Sequence, residues 1–265
     1  MKRALGLGHF TFLDLPPGEL VRLARRSGFD FVGLRFHPVS AGGLNWLPDA
    51  AGLRELARVM QGEGIGLYDI ETVVINEALE PEDLVPAMEA AAALGGKRVN
   101  VCADIFPALS ETFARIGELA AARGLGLDLE CMAWRGINTP RACLDLIASS
   151  GVPGAAYLVD ALHHSRCGGT PSDIARIPAG QAVSAQLCDA PATAPSGDGA
   201  LLAEARGGRL IPGEGGLDLA GIIRALPAET VISVEVPSAK NNTNAFVRAR
   251  QILDATHALL AKDPK

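Results

Sequence analysis

"AAYLVDALHH", residues 155–164, opens with five consecutive residues that avoid water and closes on an Asp and two His. An unbroken apolar run of strand length reads as a strand buried on both faces, which is the habit of parallel sheets covered by helices. Seven further runs of this kind occur: "ALGLGHF" (4–10), "FVGLRF" (31–36), "GLYDIETV" (66–73), "RVNVCA" (98–103), "GLDLECMAW" (126–134), "AVSAQLCDA" (182–190) and "VISVEVPS" (231–238). Segments with helical spacing separate them, among them "PPGELVRLARRSG", "AAGLRELARVMQGEG", "PEDLVPAMEAAAALGG" and "SETFARIGELAAARG". Several start at Pro or Ser and stop at Gly, as helices do. Eight strand and helix units in about 250 residues fit one closed (β/α)₈ barrel, and the expectation is a single domain over 1–265. An open doubly wound sheet is the alternative, but "GLGHF" lacks the G-x-G-x-x-G spacing of a dinucleotide site. The longest stretch expected to be irregular is Asp189 to Gly216.

Composition narrows the function. The chain has 265 residues, 48% of them hydrophobic, and a formal charge of -6, so a polyanion such as nucleic acid is a poor partner. No run approaches the ~20 apolar residues of a membrane span, and no basic and apolar leader opens the sequence, so a cytoplasmic protein is expected. The five cysteines (102, 131, 143, 167 and 188) are widely spaced without a CxxC pair, which reads as reduced thiols rather than a disulfide framework.

In such barrels the active site forms at the C-terminal ends of the strands. The polar residues there are His9, Arg35, Glu71, Asp104, Glu130, Asp160 with His163 and His164, Gln186 with Asp189, and Glu235. Carboxylates flanked by "LDL", "YLV" and "ISV" need a cation, an Arg or a raised pKa. Internal ion pairs would serve. A shared hard divalent ion, Mn²⁺ or Mg²⁺, serves better, because three carboxylates and one amide oxygen form an all-oxygen set. On a strand His164 would face away from His163, and it carries no expected role.

The strand endings "LDLECMAW", "YLVDALHH", "AQLCDAP" and "ISVEVPS", with "RLIPGEGGLDL", resemble the xylose isomerase-like TIM barrels of the sugar phosphate isomerase/epimerase superfamily. The resemblance spans most of the chain, with its specific motifs in the C-terminal half. It implies one divalent cation held by Glu130, Asp160, Gln186 and Glu235. It also implies Glu130 and Glu235 as the acid/base pair, with His163 near the substrate. Arg209 matches the family's Arg three residues before Pro-Gly, and Arg206 is a second candidate on that loop; Glu71, Arg35 and His9 complete the expected substrate side.

The activity so implied is isomerisation or epimerisation of a small polyhydroxylated keto compound through an enediolate. The alternative is dehydration of the 3-dehydroshikimate or inosose type. Gln186 is shared with hydroxypyruvate isomerases and bacterial dehydroshikimate dehydratases, and "AWRGINT" resembles the dehydratase segment; the dehydratases carry a His shortly after Trp-Gly, where this chain has Ile137. The abasic-site endonucleases of the superfamily use more His and a basic surface, which five His and net acidity do not supply. A metal-free glycosidase would leave Asp160 and Gln186 without a task, and the intact four-residue set argues against a decayed, non-catalytic barrel. Loops after strands one to three, including "HPVSAGGLNWLP" (37–48), are expected to set specificity, and a homo-oligomer is possible.

Overall fold

The computed structural model describes residues 4–40, 42–239 and 244–262. Its strands are β1 (Leu5–Leu7), β2 (Phe31–Leu34), β3 (Gly66–Ile75), β4 (Arg98–Ala103), β5 (Gly126–Leu129), β6 (Ala156–Tyr157), β7 (Val159–Asp160), β8 (Ser184–Leu187) and β9 (Val231–Val234). All pair in parallel, in the order β6-β5-β4-β3-β2-β1-β9-β8-β7. β6 and β7 are two halves of one stave, divided at Leu158. The Leu158 amide donates to the Leu129 carbonyl at 2.9 Å while β7 pairs with β8, so this stave closes the ring. The result is a single (β/α)₈ barrel.

Local sequence explains the helix boundaries. Asp49 and Thr139 cap the helices Ala50–Glu63 and Pro140–Ser150 by accepting the Gly52 and Ala142 amides, each worth about 1 kcal/mol. Gly64 and Gly151 end the same helices at φ 66°, a conformation that costs glycine little.

The strands pack their apolar residues outward against the helices. Leu127 and Leu129 on β5, Val99 and Val101 on β4, and Ile232 and Val234 on β9 are all 0% exposed. Burying each such side chain contributes roughly 1.5–3 kcal/mol. The inner face is not apolar, which corrects the expectation drawn from unbroken runs. Asp128 accepts from Ser184 Oγ across the barrel at 2.6 Å and pairs with Arg98, and Tyr68 Oη meets Ser184 Oγ at 2.8 Å, forming a polar floor. The alternation is masked in sequence because the inward positions are often small, as at Gly6, Gly33, Ala156 and Ser184.

Three further expectations change. The segment 161–166 is a helix rather than strand, so His163 and His164 point about 100° apart on a helical turn instead of to opposite faces. Residues 189–216 are not irregular throughout, because Asp198–Gly207 is helical. Glu71 lies inside β3, which continues to Ile75, and not at its end. No helix among the described residues is long and apolar enough to cross a membrane.

Candidate active site

Glu130 follows β5, Asp160 ends β7, Gln186 lies in β8 and Glu235 follows β9, so four neighbouring staves deliver them to the C-terminal mouth. All are at most 5% exposed. One oxygen each of Glu130 and Asp160 and a ring nitrogen of His163 lie within 4.8 Å of one another. Gln186 Nε2 is 3.5 Å from Glu235 Oε1, joining the other two members of the expected set.

Arg209 organises the centre. Its guanidinium meets Asp160 Oδ2 at 2.6 Å and Glu235 Oε2 at 2.9 Å, while its Nη2 lies 3.1 Å from His163 Nε2. Two of the carboxylates therefore have an internal ion-pair partner, and Arg209 stands among the expected metal ligands rather than out on a substrate loop. Guanidinium only donates, so His163 Nε2 must accept and the ring proton sits on Nδ1. That Nδ1 is buried without a partner among the described residues. Burial also lowers the His163 pKa against the pull of Asp160, so the ring is neutral at physiological pH.

The carboxyl groups divide by partner. Burial works to raise the Asp160 pKa, but the Arg209 charge and the hydrogen bonds from Arg209 and the His163 amide hold it below the ordinary value. Glu130 has one long hydrogen bond, from Thr72 Oγ1 at 3.5 Å. Burial, with the charges of Asp160 and Glu235, pushes its pKa well up. Burial and the neighbouring Glu71 likewise raise Glu235 to about 8, against the pull of Arg209.

A cavity of ≈ 270 Å³ opens over these groups. Glu130, Glu235, His163 and Arg209 form its base, Arg35 and Arg206 reach it from the sides, and Phe10, Trp134 and Leu202 supply apolar wall. Val39 and Ser40 bring the 37–48 loop to the cavity, and Ala41 of that loop lies outside the described residues. His9 and Glu71 do not line it. The His9 ring receives the Arg35 amide on Nδ1 and faces the Leu15 carbonyl through Nε2, and burial lowers its pKa to about 4. It therefore ties β1 to β2 as a neutral ring. Glu71 accepts the His9 amide and lies 3.7 Å from Arg35, beneath the cavity.

Sequence reading gave no role to Arg135, which also lines the cavity. Asp104 holds it at 2.9 Å. The loop carrying it packs so closely on β4 that a Cβ at Gly136 would stand 2.3 Å from the Ile105 nitrogen. The "AWRG" segment, which resembles the dehydratase one, was the available signal. Trp134 sets its ring edge against His163 at 5.3 Å between centroids.

Residues 21–256 match the family model described as xylose isomerase-like TIM barrel. The chain belongs to that family. It is 34% identical over 133 residues to a 3-dehydroshikimate dehydratase of Pseudomonas aeruginosa, a stretch covering 49% of this chain and 20% of that protein. The chain thus matches only about a fifth of the length of that curated relative. Among solved structures, the IolI protein with a bound zinc atom superposes with a TM-score of 0.80 at 18% identity, over 98% of both chains. A D-allulose 3-epimerase from Methylomonas sp. gives 0.74 at 15% identity, again over 98% of both. At such identities the superpositions report the fold.

The residues of this xylose isomerase-like barrel fit a divalent cation. Glu130, Asp160 and Glu235 are buried at the mouth, and among the described residues Arg209 is the buried cation paired with them, an excess of two negative charges. Burial raises the pKa of Glu130 and of Glu235, so carrying that excess charge is unfavourable without a cation.

Proposed function

We propose that the chain is a divalent-metal-dependent enzyme that removes the proton beside the carbonyl of a small hydroxylated keto compound. The observation that carries this reading is Glu130, a fully buried carboxyl with one long hydrogen bond and no cation of its own, facing a cavity of substrate size. Glu130, Asp160, Gln186 and Glu235 would hold the ion, with Mn²⁺ or Mg²⁺ suited to their oxygens. When bound, it supplies positive charge against the oxygen that becomes negative as the proton leaves.

The side chains do the rest. Glu235 and Glu130 face the same cavity from different staves and serve as the acid/base pair. The unpartnered Nδ1–H of neutral His163 is a donor for a substrate oxygen, and Arg209 fixes the ring through Nε2. Trp134, Phe10 and Leu202 keep water from the reacting carbon.

Of the possible fates of the enolate, loss of a β-hydroxyl as water is supported by the likeness to 3-dehydroshikimate dehydratase and by Gln186. The arginines around the cavity would accommodate an acidic substrate. Isomerisation or epimerisation is the second reading, favoured by two glutamates that reach one cavity from different staves. A screen of solvent deuterium exchange and water loss over 3-dehydroshikimate, inososes and keto sugars, with Mn²⁺ present, tests both. Exchange should vanish in Glu130→Gln and Glu235→Gln. Persistent exchange in both variants would refute the paired-glutamate mechanism.

A further inference from the structure

Asp189 is buried just beyond the mouth end of β8, yet it has no task in the proposed proton transfer and does not line the catalytic cavity. Its carboxylate is occupied by backbone instead. Oδ1 accepts the amides of Ala190 at 2.8 Å and Leu217 at 3.1 Å, and Oδ2 accepts those of Gly213 at 3.0 Å and Gly215 at 2.9 Å. Three of these donors belong to the 211–217 turn, and Gly216 adds a fourth tie by donating to the Ala190 carbonyl at 2.8 Å. The turn thus takes its shape from one side chain.

The main chain of Asp189 fixes the neighbour of Arg209. Asp189 and Leu210 exchange both backbone hydrogen bonds, at 2.9 and 2.8 Å, as an antiparallel bridge. Gly208, on the other side of Arg209, forms an antiparallel bridge with Ser238, beyond β9. The segment 208–210 therefore spans the ends of β8 and β9 with both outer residues pinned. Side chains of extended chain alternate in direction, so Arg209 is turned opposite to Gly208 and Leu210 and into the mouth. There it meets Asp160, Glu235 and His163.

We propose that Asp189 is the positioning residue of the active centre. By gathering the 211–217 turn onto the end of β8, it holds Arg209 in register between Asp160 and Glu235 and keeps the Arg209 donor on His163. It acts through Arg209 and touches no reacting group. In Asp189→Asn, an NH₂ group meets two of the four amides donor against donor, and those amides turn to water. The turn then no longer fixes Leu210, and Arg209 is free to swing out of its clamp. Only the link to turnover rests on the proposed function; the placement of Arg209 does not.

The test uses the full chain in EDTA, as Asp189→Asn and as a second variant that leaves the carboxylate in place. That variant is Gly215→Ala, whose Cβ would stand 2.3 Å from Asp189 Oδ1. Histidine labelled with nitrogen-15 reports the His163 ring by NMR, assigned as the signal lost in His163→Gln. Nε2 should show a hydrogen-bonded acceptor in the wild type and should move toward free imidazole, or broaden, in both variants and in Arg209→Met. A folded Asp189→Asn or Gly215→Ala with the wild-type ring signal would overturn the proposal.

Thermal melts of a double-mutant cycle give the second readout. Arg209→Met should lower the melting temperature in the Asp189→Asn background by no more than about half of its effect in the wild type, because the register it depends on is already lost. Equal shifts in the two backgrounds, as expected of a residue that stabilises only its own turn, would overturn the proposal. Should Asp189→Asn fail to fold, Gly215→Ala supplies both readouts. With Mn²⁺ and saturating substrate, deuterium exchange should slow about tenfold or more in the variants. Wild-type exchange in a variant whose His163 signal has moved would overturn the link to turnover. A wild type without exchange on any substrate would refute the proposed function, and the His163 signal and the cycle would still decide the role of Asp189.

Discussion

Replacing Arg209 with Met removes a charge while keeping a side chain of similar length, and so isolates the clamp at the centre of the site. The guanidinium is 2% exposed and bonded to Asp160 at 2.6 Å, to Glu235 at 2.9 Å and to the Ala205 carbonyl at 3.1 Å. Breaking a buried pair from one side leaves an uncompensated charge and costs about 3–5 kcal/mol. For a domain near this size each kcal/mol moves the melting temperature by roughly 2–4 °C, so Arg209→Met should melt roughly 6–20 °C below wild type in EDTA. The same change leaves Asp160 and Glu235 to a cation alone. Mn²⁺ at a hundred times its Kd contributes about 2.7 kcal/mol, which recovers more than half of the smaller loss. Thermal melts followed by circular dichroism, in EDTA and in MnCl₂, read both effects. A variant that melts within a degree or two of wild type in EDTA, or gains nothing from Mn²⁺, would refute the reasoning.

Glu130→Gln should melt at or above wild type in EDTA, because it removes a buried carboxyl that burial and like charges disfavour, and below it in saturating Mn²⁺; the reverse order in EDTA would count against the unpaired carboxyl. Burial, with the charges of Asp128 and Glu235, raises Asp69 from 3.8 to about 7. The folded protein therefore keeps a proton that the unfolded chain releases between about pH 4 and 7, and Asp69 lowers stability as pH rises through that window. Urea unfolding should show Asp69→Asn gaining on wild type across the window, by no more than about 4 kcal/mol; parallel pH profiles would show the group is not perturbed. Gly136→Ala should displace the loop bearing Trp134 and Arg135, since its Cβ meets backbone at 2.3 Å. Steady-state kinetics should then show impaired turnover of the substrate found by the exchange screen, and unaltered kinetics would mean that the loop does not reach the substrate.

The barrel was legible because strand-length apolar runs alternate with capped helices, a signal carried by neighbours in sequence. Glu130, Asp160, Gln186 and Glu235 were legible for the same reason, each sitting where a run ends. What escaped reading depends on contacts between distant segments. Nothing in "RLIPG" announces that Arg209 lies between Asp160 and Glu235, residues 49 and 26 positions away in the chain. His163 and His164 were misplaced because Asp160, a good strand end, is also a good helix cap, and its Oδ1 takes the His163 amide at 2.8 Å.

The direct test of the central claim is metal binding by the chain itself. Protein stripped with EDTA and dialysed against limiting Mn²⁺, Mg²⁺ or Zn²⁺ should retain one divalent ion per chain by elemental analysis, and Glu130→Gln and Asp160→Asn should each lose it. A stripped chain that stays folded and retains none of the three ions would contradict the account, leaving the Arg209 clamp as an internal ion pair and the buried Glu130 as a protonated core residue.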